Sequence, residues 1–513
     1  MKSLADKFNL QVNPTVFFTS IVIILGFVFI GVIAPDATYV VFEAVQDFIV
    51  VNFGWFYIIA VAVFVIFVLG IAISKYGDIK LGPDDSEPEY SYFSWFAMLF
   101  SAGMGIGLIF YGVAEPIWNY IWPPRAEEAS SAAFDEAMLF TFFHWGIHPW
   151  AIYIIVGMSL AYFHFRRGLP LSIRSAFYPI WGNKIYGPLG DTIDILAVFG
   201  TMFGVATSLG IGATQVGAGL SYLFGFENDV TLWVILIAII TLFATISVWL
   251  GLDKGIRRLS NFNLSLAGIL VVFVFIAGPT LLLLNSLMVN IGTYVQNVVE
   301  TTFWIDTETT EWQGAWTLFY WGWWIAWSPF VGMFIARVSR GRTIREFAIG
   351  VMLVPTSFTF IWLTVFGNTG LFFEMEGIAE ISGLEDPEML FGVLESLPLA
   401  TLSSIAATLL IVTFFVTSSD SGSLVIDMLA SGGNPNPPRG QRVFWALSEG
   451  AVAAVLLLAG GHEALQTAAI TTGFPFAAVL LIMAFSMYRA LNKESTEKIA
   501  SKRHYSAKKP KEE

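Results

Sequence analysis

Residues 316–345 read WTLFYWGWWIAWSPFVGMFIARVSRGRTIR, and Trp321, Trp323, Trp324 and Trp327 lie inside an apolar run long enough to cross a bilayer. An aromatic belt at the headgroup level accounts for Trp316 at the edge of the run, but not for Trp324 and Trp327 near its middle. At 100° per residue, Trp321, Trp324 and Trp327 share one slowly drifting stripe of a helix. Indoles at that depth either pack against neighbouring helices or form a cage whose ring faces attract a quaternary ammonium. A second aromatic set stands in FHWGIHPWAIY, where Trp145, Trp150 and Tyr153 fall within an arc of about 140° and offer another wall. His144 and His148 have the i, i+4 spacing of a zinc pair, but a third ligand and the glutamate base of such motifs are missing. A metal centre is therefore not expected.

Other groups suit small cations. In SAGMGIGLIFYGVAEP, Gly103, Gly105, Gly107 and Gly112 interrupt an apolar helix. Close helix packing explains Gly103 and Gly107, whereas a local break would turn the carbonyls of Ser101, Ala102 and Met104 toward a cavity. Thr201, Thr207, Ser208 and Thr214 are hydroxyls in hydrocarbon, each able to satisfy itself on a preceding carbonyl or to act as a hard oxygen ligand. The run FFVTSSDSGS places Thr417, Ser418, Ser419, Asp420 and Ser421 in an otherwise apolar span, which is costly unless they face a cavity or other helices.

These groups need helices to hold them. The 513 residues are 56% hydrophobic and 13% charged, a composition of polytopic helical membrane proteins. With no cysteine, disulfides, thiolate catalysis and cysteine metal sites are excluded. Twelve spans are expected, at roughly 15–33, 55–74, 92–111, 137–162, 192–213, 230–250, 263–286, 316–336, 347–366, 399–424, 443–459 and 467–487. The first reads as a retained span and not a signal peptide. With the N-terminus inside, 25 of the 26 Lys and Arg fall on the inner side and only Arg125 lies outside, so both termini are expected in the cytoplasm. The net charge of −13 then reflects solvated outer loops and not an acidic partner. The stretch from Ala37 is expected to allow an interfacial amphipathic helix before span two. The basic tail anchors topology or touches anionic lipid.

Spans three and eight are both expected to be interrupted, one by glycines and one by Ser328–Pro329, and they lie five spans apart. That offset suits two inverted repeats, spans 3–7 and 8–12. No nucleophile or metal constellation supports an enzyme, and no repeated pore loop or ring of charge supports a channel.

Together, SAGMGIGLIFYGVAEP, FHWGIHPWAIY, FYWGWWIAWSPFVGMFIARVSRGRTIREF and FFVTSSDSGS resemble the betaine/carnitine/choline transporter (BCCT) family, most closely its sodium-coupled glycine betaine carriers. The resemblance covers all twelve spans in order. It implies an all-α membrane protein with a leucine-transporter-like 5+5 inverted repeat preceded by two helices. The layout would be an N-terminal segment 1–14, accessory helices 15–91, repeats 92–286 and 316–487, an outer linker with an amphipathic helix at 287–315, and a tail 488–513. It implies alternating access, no enzyme activity, no cofactor beyond sodium as coupling ion, no nucleic acid, and a homotrimer in the cell membrane.

By resemblance, Trp145, Trp150 and Tyr153 face Trp324 and Trp327 around the trimethylammonium group of an osmoprotectant zwitterion, with Trp321 and Trp323 lining the pathway and backbone contributed around Ala102 and Met104. One sodium would be held by the backbone of Ser101, Met104 and Phe414 and the hydroxyls of Thr417 and Ser418. A second would lie near Thr201 and Phe330. Val205 departs from the second threonine of sodium-coupled carriers and cannot ligate a cation, leaving Thr207 or Ser208 as substitutes. The alternatives within the family are a proton-coupled choline transporter and a sodium-independent carnitine exchanger. No Lys or Arg lies in spans three, five or ten to replace an ion.

Overall fold

In hydrocarbon the backbone must satisfy its own N–H and C=O groups, so long apolar runs fold as helices. The structure is a computed structural model that describes residues 10–103, 105–250, 253–308 and 310–507, with side chains set aside at 100–103, 253–257 and 498–507. Among the described residues no strand forms, apart from a single bridge between Lys80 and Thr343. The helices that matter here are α1 (Pro14–Ile33), α2 (Pro35–Ile73), α3 (Tyr92–Gly103), α4 (Ile106–Ile121), α5 (Ser131–Trp145), α6 (Ile147–Ala161) and α7 (Pro188–Phe224). They continue with α8 (Val230–Leu250), α9 (Asp253–Ala277), α10 (Thr280–Phe303), α11 (Phe319–Arg337), α12 (Ile344–Met375), α13 (Met389–Glu395), α14 (Ala400–Ala430) and α15 (Arg439–Ala507). Nine helical stretches among the described residues are long and apolar enough to cross a membrane.

The expected spans three and eight fall outside those nine. Span three is divided into α3 and α4 at the glycine run, and α11 is dominated by Trp, Tyr and Gly, whose hydropathy is modest. The expected spans eleven and twelve are the two helical parts of α15, which meet at a non-helical kink at Gly460 and Gly461 (φ 60°, ψ −136° at Gly461). Span seven ends at Ala277, ahead of Gly278–Pro279, so the helix of the outer linker begins at Thr280 and not at 287. The segment from Ala37 is no separate interfacial helix either. It forms the first part of the 39-residue α2, about 58 Å long, where Val40, Val41, Phe48 and Val51 stay exposed.

Two further breaks differ from expectation. α5 and α6 are separated at Gly146 (φ −84°, ψ −134°), and the freed N–H of Ile147 donates to the Tyr294 hydroxyl of α10. Ser328–Pro329 does not interrupt α11. Proline lacks the N–H that would bond the carbonyl of Ile325, and the Ser328 hydroxyl donates to that carbonyl instead, at 2.7 Å. The helix stays whole.

α7 lies at the centre, packed against α11, α14 and α15, with an almost unbroken buried stretch from Ala197 to Gly219. α11 packs on α6 and α7. Arg125, the lone basic residue assigned to the outer side, bonds Glu136 at 2.6 Å and Glu300 at 2.8 Å and lies over the Phe140 ring. At the arginine-rich end, Arg166 joins Glu494 of α15 to the backbone of Gly82.

Candidate functional site

The aromatic residues of α5, α6 and α11 meet around one small cavity between these helices. Trp145, Trp150, Tyr153, Trp323, Trp324 and Trp327 all line it, together with Gly105–Leu108, Pro149, Ser208 and Thr359. Among the described residues, no charged side chain does. Trp323 and Trp324 stack at 4.9 Å and 11°, while Trp145 meets Trp324 edge-on at 4.9 Å and 73°. Trp321 lies elsewhere, stacked on His148 and edge-on to Phe143, so the expected stripe of Trp321, Trp324 and Trp327 is divided. Position 323, on the neighbouring side of the helix, takes its place at the cavity.

Three of the indoles of α11 bond backbone carbonyls that a helix break or a close approach makes available. The break at Gly146 leaves the His144 carbonyl free, and Trp324 Nε1 donates to it at 3.0 Å. Trp327 Nε1 donates to the Gly204 carbonyl at 2.7 Å, and Trp323 Nε1 approaches the same oxygen at 3.4 Å. Gly204 must be glycine for this, since a Cβ there would stand 2.7 Å from Trp327 Cδ1.

Gly107 has the same role on the opposite wall. A Cβ there would lie 2.4 Å from Trp323 Cη2 and 3.2 Å from Trp145 Cη2. The Trp323 ring is stacked on both Phe319 and Trp324, which limits how far it can yield. Gly107→Ala is therefore expected to weaken solute binding about tenfold, an overpacking cost of ~1.4 kcal/mol, with a binding isotherm as the measurement.

Behind the cage lies a residue that the sequence reading passed over. Glu115 of α4 is wholly buried. Its Oε2 accepts from Trp145 Nε1 at 2.7 Å and from the Tyr320 hydroxyl at 2.5 Å, and its Oε1 lies 2.6 Å from His144 Nδ1. His144 Nε2 in turn meets the Thr317 hydroxyl at 2.9 Å, and His148 bonds Thr302. His144 has a partner at both ring nitrogens, whereas His148 Nδ1 has none among the described residues; no group of three metal-ligating side chains occurs among them. The available signal was an acid directly before Pro116 in an apolar run, but the boundary set at 111 put it outside the span.

The expected cation ligands are placed less completely. Met104 lies outside the described residues, and Ser101 and Ala102 are known only as the last turn of α3. Thr417, Ser418 and Phe414 line a second cavity with Asn263, Ser421 and Phe330, and Trp327 borders both this cavity and the first. Thr417 Oγ1 shares its proton between the carbonyls of Thr413 and Phe414, each at 3.1 Å, and Asn263 Nδ2 approaches it at 3.4 Å. Asn263 Oδ1 is buried without a hydrogen-bond partner among the described residues. Thr201 donates to the Ala197 carbonyl at 2.8 Å, Val205 is buried against Gly422, and Thr207 turns to the Leu465 carbonyl. Ser208 lines the first cavity and Phe330 the second, so these residues do not converge on one point. A third cavity shares Ser260, Phe330, Phe334 and Ser421 with the second and opens among Arg337, Arg340 and Arg442.

On the far side of the cage, Phe110, Tyr111, Trp316, Phe319 and His462 close ranks, with the Tyr111 hydroxyl 3.0 Å from His462 Nε2.

The family model described as BCCT, betaine/carnitine/choline family transporter, matches residues 15–496. The chain belongs to the BCCT family. A protein named glycine betaine transporter OpuD, from Bacillus subtilis, is 49% identical over 94% of this chain and 95% of its own length. A glycine betaine transporter of Acinetobacter baylyi is 49% identical over 95% of this chain and 74% of its own. A high-affinity choline transport protein of Escherichia coli is 42% identical over 96% and 74%. This BCCT member is thus an integral membrane transporter and not an enzyme.

Proposed function

We propose that this chain imports glycine betaine, or a similar quaternary ammonium or sulfonium zwitterion, by sodium symport through alternating access. The observation that carries the reading is the aromatic cavity without a charged lining. Six ring systems border it, and ring faces hold a fixed cation without a charged side chain in the cavity wall itself. Gly105–Leu108 border the same cavity at the N-terminus of α4, where the first N–H groups have no intrahelical partner. A solute carboxylate accepts hydrogen bonds there.

Sodium would be held by Thr417, Ser418 and the Phe414 carbonyl, with the backbone of Ser101 and Met104, one indole away from the solute. Its charge there favours the arrangement that binds zwitterion, and by linkage each raises the affinity for the other. The second position, near Thr201 and Phe330, would lack the threonine that Val205 replaces. The run of cavities from Trp327 to Arg340 supports an arrangement in which solute leaves toward the arginine-rich side. With twelve spans and both termini in the cytoplasm, that side is the cell interior. The layout is two inverted repeats, α3–α9 and α11–α15, with α1 and α2 as accessory helices. The apolar face left exposed on α2 suits a homotrimer interface, and the basic tail suits anionic lipid.

Glycine betaine uptake into proteoliposomes under an inward sodium gradient, against an equal potassium gradient, tests the reading. Uptake should require sodium. Uptake driven instead by solute preloaded inside would make the protein an exchanger and displace the ion assignment.

A further inference from the structure

We infer that Glu115 sets the preference of the cage for a positive charge, acting as a positioning residue that also makes the cage rings richer in electron density. The inference rests on the reading of the cavity as a quaternary ammonium site. Three donors converge on the two carboxylate oxygens: the Trp145 indole N–H, the Tyr320 hydroxyl and a ring nitrogen of His144. We use one of the proton assignments that these contacts allow. In it the Thr317 hydroxyl donates to His144 Nε2, His144 Nδ1–H donates to Glu115 Oε1, and the carboxylate is an acceptor at every contact.

The imidazole is then neutral, and no Lys or Arg forms an ion pair with Glu115 among the described residues. In this assignment a wholly buried negative charge stands directly behind the Trp145 indole that lines the cavity. Surrounded by protein and not water, it is weakly screened and attracts a cation on the other face of that ring. The N–H···O⁻ bond adds to this effect. It draws the indole proton toward the carboxylate and shifts ring electron density to the π face, which is the part of Trp145 that a trimethylammonium meets. Tyr320 has a supporting part, since its hydroxyl is held by the same oxygen while its ring stacks on Trp324 at 5.6 Å and 24° and so places that ring.

The test compares two ligands of one shape. In 3,3-dimethylbutyrate a tert-butyl group replaces the trimethylammonium of glycine betaine, so only the positive charge is removed. Affinities are read by tryptophan fluorescence titration of the purified full chain in detergent at saturating sodium. The unaltered protein should prefer glycine betaine. In Glu115→Gln, glycine betaine affinity should fall about tenfold while that of the isostere stays within about twofold, so that the preference collapses. An equal loss for both ligands would reduce Glu115 to a structural support, and an unchanged preference would leave its charge without effect. Either overturns the inference.

Tyr320→Phe removes one donor but keeps the carboxylate, and it should lower both affinities together with the preference intact. A collapse of the preference in that variant would mean that ring placement and not charge decides. If the unaltered protein does not prefer glycine betaine, the cage reading itself fails and takes this inference with it.

Discussion

Leucine in place of Trp324 is expected to raise the glycine betaine concentration for half-maximal uptake by about 30-fold, the equivalent of ~2 kcal/mol for a desolvated cation on an indole face. Trp324 is the ring that touches the most of the cage. It stacks on Trp323, meets Trp145 edge-on, leans on Tyr320 and lies 6.5 Å from Tyr153. Leucine has no π face, and it also leaves the His144 carbonyl without the donor that fixes the break at Gly146. Trp321→Leu is the informative control. That ring is equally buried but stacks on His148, away from the cavity, so its loss should reduce the yield of folded protein and leave the half-maximal concentration near that of the unaltered chain. Uptake by the Trp324 variant at the original concentration would mean that the cation is held elsewhere.

The contrast between these two tryptophans marks how far the sequence could be read. A helix over 319–337 follows from the apolar run, and spacing alone brings several rings to one side. Which rings face the cavity depends on where the helix is anchored in rotation, and here Gly204 does that by admitting Trp327 against its own backbone. No periodicity in α11 records a glycine on α7. Gly146 is a similar case: the break in span four depends on Tyr294, 147 residues beyond Ile147, accepting the freed N–H.

Glu115 was hidden for a different reason. A window that seeks apolar residues ends a span when an acid appears, yet this acid is buried because three donors on two other elements satisfy it. The break that begins α4 at Ile106 carries the helix on to Ile121, which draws Glu115 inside. In contrast, Trp150 and Tyr153 lie on the single helix α6, as the arc expects, while Trp145 reaches the same cavity from α5 across the break at Gly146, which the arc does not foresee.

Removing the hydroxyls of Thr417 and Ser418 together is expected to separate folding from ion coupling. The Thr417 hydroxyl bonds only backbone carbonyls of its own helix and a distant amide nitrogen, so its loss should cost the fold about 1 kcal/mol. Thr417→Ala with Ser418→Ala should therefore reach the membrane in amounts within about twofold of the unaltered protein. A cation that loses two oxygen ligands loses far more, because an ion stripped of water needs each of them replaced. The sodium concentration for half-maximal uptake should rise at least tenfold, roughly 1.4 kcal/mol or more. Under the proposed coupling, the solute affinity measured at low sodium should fall in parallel and recover at high sodium. Sodium activation that stays unchanged in the double variant would sink the assignment of Thr417 and Ser418. The aromatic cage would survive that result, since Trp327 borders both cavities but its indole is fixed by Gly204 and not by either hydroxyl.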